Sequence, residues 1–447
     1  MKVFKAYDIR GEWVTDWNAE LAYKIGFHLP KVLNVSHFLV GRDCRLSSDA
    51  VFKALSKGIT DAGANISDAG FTTTPLIYWA TARYDFPASV MITASHNPKS
   101  HNGLKVSARN ALPVGYDNGL NQVEKKVLEE KIQPTENKGI IQNVELNPAY
   151  LKFLKEYLSP LEDLRIAIDC SNGMASLFIK DLLSAEAFYI NDIADGRFPG
   201  HDPNPLKPSN QEQIKGMVIN RHCDIGLIFD GDADRVIFID ENGKFISPDL
   251  IIALMGHYFF EQKGQIGKVL QDIRSSKAIA EYLDQFGTQV ETWRVGRAYG
   301  AAKLREINGL YGGELAGHYY FRDFYYSDSA LLAALIVLDL LARFKKAGFT
   351  LSKLIKNISS YHNSGEINFK IENKAAAIKA VCDWFEKQET PVKKMDFDGN
   401  RLEFSDWWFN IRPSNTEPYL RFIAEAKNAG KLEKVITQTK HIIDALS

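Results

Sequence analysis

Short apolar runs and longer helical periods take turns along this chain. Phe38-Leu39-Val40, Ala88-Ser89-Val90-Met91-Ile92, Ile225-Gly226-Leu227-Ile228-Phe229 and Val236-Ile237-Phe238-Ile239 are near-continuous apolar stretches, the pattern of buried strands. After the first of them Ala50, Phe52, Ala54, Leu55 and Ile59 recur at helical spacing. Residues 150–154 predict another helix ahead of a strand at 165–168, and Ser247-Pro248-Asp249 predicts an N-cap with proline at the first helical position. Alternation of this kind predicts βαβ construction. Three times a strand runs into an aspartate and a polar turn, at Gly41-Arg42-Asp43-Cys44, Ala167-Ile168-Asp169-Cys170 and Leu270-Gln271-Asp272-Ile273, which points to three similar α/β layers.

From about His362 the texture changes. A helix near 375–385, the β-rich Asp406-Trp407-Trp408-Phe409-Asn410-Ile411 and a closing helix near 435–445 predict an α+β domain on an antiparallel sheet. The expected divisions are 1–145, 146–246, 247–357 and 358–447. The most apolar segment, 330–341, carries Asp339 and falls short of the ~20 residues that span a bilayer, so a core helix is expected.

Composition narrows the function more than the fold. The 447 residues suit three or four domains at ~100–200 residues each. Hydrophobic residues at 45% and charged residues at 24% allow well-filled cores. A formal net charge of −1 implies no general polyanion affinity, so nucleic acid and membrane surfaces are not expected partners and any phosphate must be held by a local site. Cys44, Cys170, Cys223 and Cys382 form no C-x-x-C pair and the first residues carry no apolar signal segment, so a cytoplasmic protein is expected.

Four polar clusters interrupt the apolar pattern. Thr93-Ala94-Ser95-His96-Asn97-Pro98 places a serine hydroxyl at the mouth of a parallel-type strand, where α/β proteins put their chemistry, with Lys105 following on a hairpin-like segment. Asp230-Gly231-Asp232-Ala233-Asp234-Arg235 sets three carboxylates at alternate positions between two strands. Their repulsion calls for a hard divalent cation, Mg²⁺ or Ca²⁺. An EF-hand loop is disfavoured because Arg235 stands where its glycine belongs, although Glu241 falls at the twelfth position. A phosphatase-type aspartyl nucleophile would want a later lysine that has no evident place. Arg412-Pro413-Ser414-Asn415-Thr416-Glu417-Pro418 joins a guanidinium to short neutral donors, as a phosphate requires. Gly312-Gly313-Glu314-Leu315-Ala316-Gly317-His318 adds a carboxylate and an imidazole to a flexible backbone.

With Tyr7-Asp8-Ile9-Arg10-Gly11, these motifs stand in the order and spacing of the α-D-phosphohexomutase family, which the chain resembles over essentially its whole length. The 412–418 motif resembles the phosphomannomutase/phosphoglucomutase branch. The resemblance implies an α/β architecture of four domains around a central cleft, three alike with mixed sheets and a C-terminal α+β domain. It implies an isomerase that interconverts hexose 6-phosphate and hexose 1-phosphate, of mannose and/or glucose. Ser95 would be the phosphoserine, and Ser95, Asp230, Asp232 and Asp234 the Mg²⁺ ligands. Hexose 1,6-bisphosphate would serve as intermediate and activator. Arg10, His96, Lys105, Arg235 and His318 would form the reacting end, with Lys105 or His318 as the base. Tyr7, Asn97, Arg274, Arg297, Glu314, Arg412, Ser414, Asn415 and Thr416 would bind substrate. Ala316, Arg274 and Arg297 depart from residues common in the family and bear on sugar preference. Hexose phosphates are the expected partners, a monomer or homodimer the expected assembly, and hinge motion is expected near 355–365. The alternatives are a phosphoglucosamine mutase and, from another class, a non-catalytic calcium- or phosphosugar-binding protein.

Overall fold

The computed structural model describes residues 1–161, 163–183, 187–414 and 419–446. They build four sheets along the chain. In the first, Ile9–Glu12, His101–Ala108, Ala88–Ile92, His37–Arg42, Asn65–Phe71 and Ile141–Asn143 lie in that order, with Leu112–Val114 beside His101–Ala108. The second runs Val236–Asp240, Ile225–Phe229, Ile166–Asp169, Phe188–Ile190, and the third Val290–Trp293, Val269–Asp272, Tyr311–Gly313, Tyr319–Phe321, Ser327–Asp328.

These three mixed sheets repeat one plan. A central strand (His37–Arg42, Ile166–Asp169 or Val269–Asp272) is parallel to both neighbours. One neighbour (Ala88–Ile92, Ile225–Phe229 or Tyr311–Gly313) leads into a loop and an antiparallel return. The serine, triple-aspartate and Gly-Glu-His motifs are those three loops, each at the same place in its domain. The repeated aspartates share a role as well. Asp43, Asp169 and Asp272 each accept a hydrogen bond from the backbone N–H two residues on, at 3.1, 2.8 and 2.7 Å, closing the same side-chain turn three times.

The fourth sheet is antiparallel and is covered by the helices Lys374–Gln388 and Ala429–Asp444, as the changed texture predicts. Its apolar core stands apart from the rest. The first three domains keep clusters of their own, the first around Val40, Leu55 and Val90, but also share one core that takes in Trp79, Tyr150, Phe178, Phe238 and Phe324. Rings hand this contact from domain to domain: Trp79 lies 5.7 Å from Phe153, which lies 5.8 Å from Phe324. The helix Ala330–Lys346 is buried along most of its length, as its apolar run predicts. At Pro248–Gly256 proline opens the helix as expected, but the Ser247 hydroxyl donates to Asp249 instead of capping the backbone. Among the described residues no helix is long and apolar enough to cross a membrane.

Candidate active site

The three equivalent loops meet at one place. Ser95 sits in the left-handed region at φ 52°, unusual for a serine, because two contacts hold its backbone. Its N–H donates to Thr93 Oγ1 at 2.9 Å, and its carbonyl abuts Gly231, where a Cβ would come within 2.6 Å. Gly231 must therefore be glycine for the serine and acidic loops to interlock. The Ser95 hydroxyl then donates to Asp230 Oδ2 at 2.8 Å, across domains.

Asp230, Asp232 and Asp234 are fully buried, with ligand-capable oxygens within 4.8 Å of one another. Burial, then the charges of Asp234 and Asp232, push the Asp230 carboxyl well above its ordinary value. Asp232 Oδ1 and Asp234 Oδ1 are buried without a hydrogen-bond partner. Orphaned carboxylate oxygens beside a carboxyl that resists ionising are what a hard cation would satisfy, so the donor set fits Mg²⁺. The other oxygens are occupied: Lys105 Nζ donates to Asp232 Oδ2 at 2.6 Å and also to Asp234, and the Thr74 hydroxyl donates to Asp232 Oδ2. Burial works against the Lys105 ammonium, but Asp232 and Asp234 outweigh it and raise its pKa.

His96 Nδ1 lies 3.3 Å from Ser95 Oγ, and burial followed by the cations Arg235, Arg10 and Lys105 holds this imidazole well below its usual pKa, hence neutral. Arg10 Nη1 donates to Asn97 Oδ1 at 2.9 Å and pairs with Asp8. Arg235 Nε donates to His318 Nε2 at 2.9 Å, while His318 Nδ1 contacts Asp328 Oδ2 at 2.6 Å. That pair of contacts puts the imidazole proton on Nδ1 and the lone pair on Nε2.

A second group lies where the third and fourth domains face each other. Arg274 pairs with Asp272 at 2.7 Å and lies 3.9 Å from Glu314, which accepts the Tyr320 hydroxyl at 2.5 Å. Arg412 is 3.5 Å from Asp398, and burial, then the like charge of Arg274, lowers its pKa. Two guanidiniums close enough to feel each other's charge, each oriented by carboxylates, offer donors suited to an anion. Ser414 continues from Arg412, and its N–H donates to Tyr419 O at 2.8 Å. Asn415 and Thr416 lie outside the described residues. Tyr7 reaches the third domain, its hydroxyl donating to Val295 O at 3.1 Å.

Arg297, expected at the substrate, also has a partner in the first domain. Its guanidinium lies 3.6 Å over the Tyr78 ring and its Nε donates to Asp328 at 3.2 Å, so it braces the third domain against the first. Thr74, Asp328, Asp398 and Arg45 belong to the site and were missed by sequence reasoning. Each is one residue without a local motif, recognisable only through a distant partner. Asp43 and Asp272, from the strand-aspartate echo, carried the one usable signal.

A fold of three repeated α/β domains and a fourth α+β domain, with a buried acidic cluster that could hold a cation, is the architecture of a phosphohexomutase. Family comparison bears this out. The chain matches phosphoglucomutase/phosphomannomutase alpha/beta/alpha domain I over residues 1–133, domain II over 148–243, domain III over 247–361 and the C-terminal domain over 366–441. The chain belongs to the phosphoglucomutase/phosphomannomutase family and is an isomerase. A Vibrio cholerae protein named phosphomannomutase is 34% identical over 440 residues, covering 95% of this chain and 94% of its own. A solved phosphoglucomutase/phosphomannomutase family protein from Burkholderia thailandensis has the same fold at TM-score 0.89 and 24% identity, covering 100% of this chain and 97% of its own. An Aspergillus fumigatus N-acetylphosphoglucosamine mutase variant solved with glucose 1,6-bisphosphate shares the fold at TM-score 0.56 and 15% identity, over 94% of this chain and 79% of its own. Membership of an enzyme family sets aside a binding module without turnover.

Proposed function

We propose that this chain interconverts hexose 6-phosphate and hexose 1-phosphate, of mannose and/or glucose, through phosphorylated Ser95 and a hexose 1,6-bisphosphate. One observation carries the reading: the Ser95 hydroxyl donates to Asp230 within a cluster whose Asp232 and Asp234 each keep an unpartnered buried oxygen. Mg²⁺ held by Asp230, Asp232 and Asp234 would supply charge neutralisation at the phosphoryl oxygens.

In the first half-reaction the free sugar hydroxyl bonds to phosphorus, the bond from phosphorus to Ser95 Oγ breaks, and the hydroxyl proton leaves to a base. In the second, Ser95 Oγ bonds to the other phosphate of the bisphosphate, and a proton returns to the departing sugar oxygen. Positioning and charge carry most of such a transfer. Arg10, Arg235 and Lys105 supply the positive charge, and Lys105 stays an ammonium between its two aspartates. That leaves His318 as the base. Its Nε2 lone pair faces Arg235, and a phosphate that draws Arg235 away frees it.

Arg412, Ser414, Asn415 and Thr416 hold the phosphate that is not reacting, and Glu314 with Arg274 reads the sugar. Reorientation of the bisphosphate requires that grip to open, and the fourth domain hangs on the segment between Ile358 and His362, inside the expected hinge.

The test is intact mass and peptide mapping of the purified protein, with turnover of mannose 1-phosphate, glucose 1-phosphate and glucosamine 1-phosphate with and without Mg²⁺. A phosphate on Ser95, and no turnover in Ser95→Ala, are the expected results. Full-speed turnover by Ser95→Ala ends the proposal, and a dominant glucosamine 1-phosphate activity reassigns the substrate.

A further inference from the structure

In each of the first three domains, the turn after the central strand braces the functional loop. In the third, Asp272 Oδ2 accepts the Leu315 N–H at 2.8 Å, beside Glu314. In the second, the Ser171 hydroxyl donates to Phe229 O at 2.5 Å and the Met174 N–H to Gly231 O at 3.0 Å, on either side of Asp230. In the first, the brace is the side chain of Arg45.

Arg45 is fully enclosed, its side chain 0% exposed. Nη2 donates to the carbonyls of Ser95 and Asn97, both at 2.7 Å, and Nη1 to those of Pro98 at 2.7 Å and His101 at 3.0 Å. Nε donates to Asp43 at 3.1 Å, and Asp43 also receives the hydroxyls of Ser48 and Thr93. Only a planar five-donor fork can serve four converging carbonyls and a carboxylate; an ammonium has three donors and no fixed plane. The second domain covers this arrangement. The Phe198 ring lies 5.1 Å from the guanidinium, and Gly196 bridges the Arg45 backbone so closely that a Cβ there would fall 2.2 Å from Cys44 O.

We propose that Arg45 is the positioning residue of the phosphoryl-accepting serine. By drawing on the Ser95 carbonyl it holds the serine at positive φ with Oγ aimed at Asp230. Arg45 touches none of the sugar-binding or phosphate-binding groups of the third and fourth domains. Asn97, whose carbonyl Arg45 also holds, is the one expected substrate-binding residue it reaches, so loss of Arg45 acts on the transfer step far more than on substrate affinity. The inference rests on the reading of Ser95 as the acceptor.

The experiment compares wild type, Arg45→Lys, Arg45→Ala and Ser95→Ala. It measures kcat and KM per folded molecule, phosphate occupancy of Ser95 after incubation with glucose 1,6-bisphosphate, and recovery on adding guanidinium ion at millimolar concentration. Misplacement of a reacting group by ~1 Å costs about a hundredfold, so Arg45→Lys is expected to lose about that factor in kcat with KM within about twofold. Phosphate occupancy falls in parallel. Guanidinium ion restores part of the activity to Arg45→Ala and none to Ser95→Ala. Wild-type kcat and occupancy in Arg45→Lys overturn the proposal, as does a loss explained wholly by the unfolded fraction. If Arg45→Lys does not fold, Phe198→Leu carries the test by removing the ring over the guanidinium. A several-fold fall in kcat at constant KM supports the proposal, and an unchanged kcat overturns it. Full activity in Ser95→Ala would instead defeat the acceptor reading itself.

Discussion

Thr74 gives the acidic loop its sharpest test as a cation site. Its hydroxyl donates to Asp232 Oδ2, which leaves Oδ1 as the orphaned oxygen. Thr74→Val keeps the shape and deletes the donor. The local fold survives, because Thr73 caps the helix by accepting the Leu76 N–H at 3.2 Å and the Thr74 N–H still donates to Asp232 O at 3.1 Å. A hydrogen bond to a charged acceptor contributes ~1.5–3 kcal/mol. Lys105 holds the same oxygen at 2.6 Å, which puts the loss at the lower end, ~1.5 kcal/mol. That corresponds to about a tenfold change in an equilibrium constant and agrees with the ~10–100-fold cost of disturbing groups that orient metal ligands. Calorimetric titration of Mg²⁺ into the unphosphorylated protein, checked by the rise in thermal midpoint with Mg²⁺, should show about tenfold weaker binding in Thr74→Val and wild-type binding in Thr74→Ser. A folded Thr74→Val that binds Mg²⁺ within twofold of wild type would refute the assignment of Asp232 as an oriented ligand.

Two other predictions concern stability and domain attachment. Burial depresses the His201 pKa, but its hydrogen bond to Asp169 at 2.9 Å and that residue's charge outweigh it, so the net shift is upward from 6.5. A raised folded pKa stabilises fully below the unfolded value and loses that contribution as pH rises through the folded one. Thermal midpoints should therefore fall from about pH 6 to 8 more steeply in wild type than in His201→Gln, and equal slopes would contradict the pairing. Arg401, with its side chain 0% exposed, donates to Ile273 O at 2.8 Å and Ser275 O at 2.5 Å and pairs with Glu403 at 2.8 Å, tying the fourth domain to the third. Arg401→Met strands those acceptors and a buried charge at ~3–5 kcal/mol. Amide exchange at residues 273–276 should accelerate, and unchanged protection would count against the tie.

Much of the architecture is legible because it is written in local pattern. The run from Ala88 to Ile92 is a strand with the predicted bounds, since a five-residue, mostly apolar run that follows Pro87 is too short for a helix. The aspartate echo read as three layers because one turn closes each central strand. The catalytic motifs stand out for a related reason: carboxylates or glycines crowded within six residues have no packing explanation. Arg45, Thr74 and Asp328 do not stand out. Their meaning lies in partners 50, 158 and 10 residues away, and a lone arginine, threonine or aspartate has no period to betray it. Arg297 has a further role that its motif position does not announce: its guanidinium lies over Tyr78 and its Nε donates to Asp328, while Nη2 keeps no hydrogen-bond partner.

The apolar interior shared by the first three domains decides which parts of the molecule are free to move. Trp79, Tyr150, Phe178 and Phe324 are bound into one interior, so sliding these domains past one another would tear open packed rings. The fourth domain brings its own interior and meets its neighbour largely through polar groups such as Arg401 and Glu425. Aim and grip are thus mechanically separate. Under the proposed reaction the serine and its acidic partners would stay registered to each other through every cycle, while the part proposed to clasp the far end of the sugar would let go and take hold again.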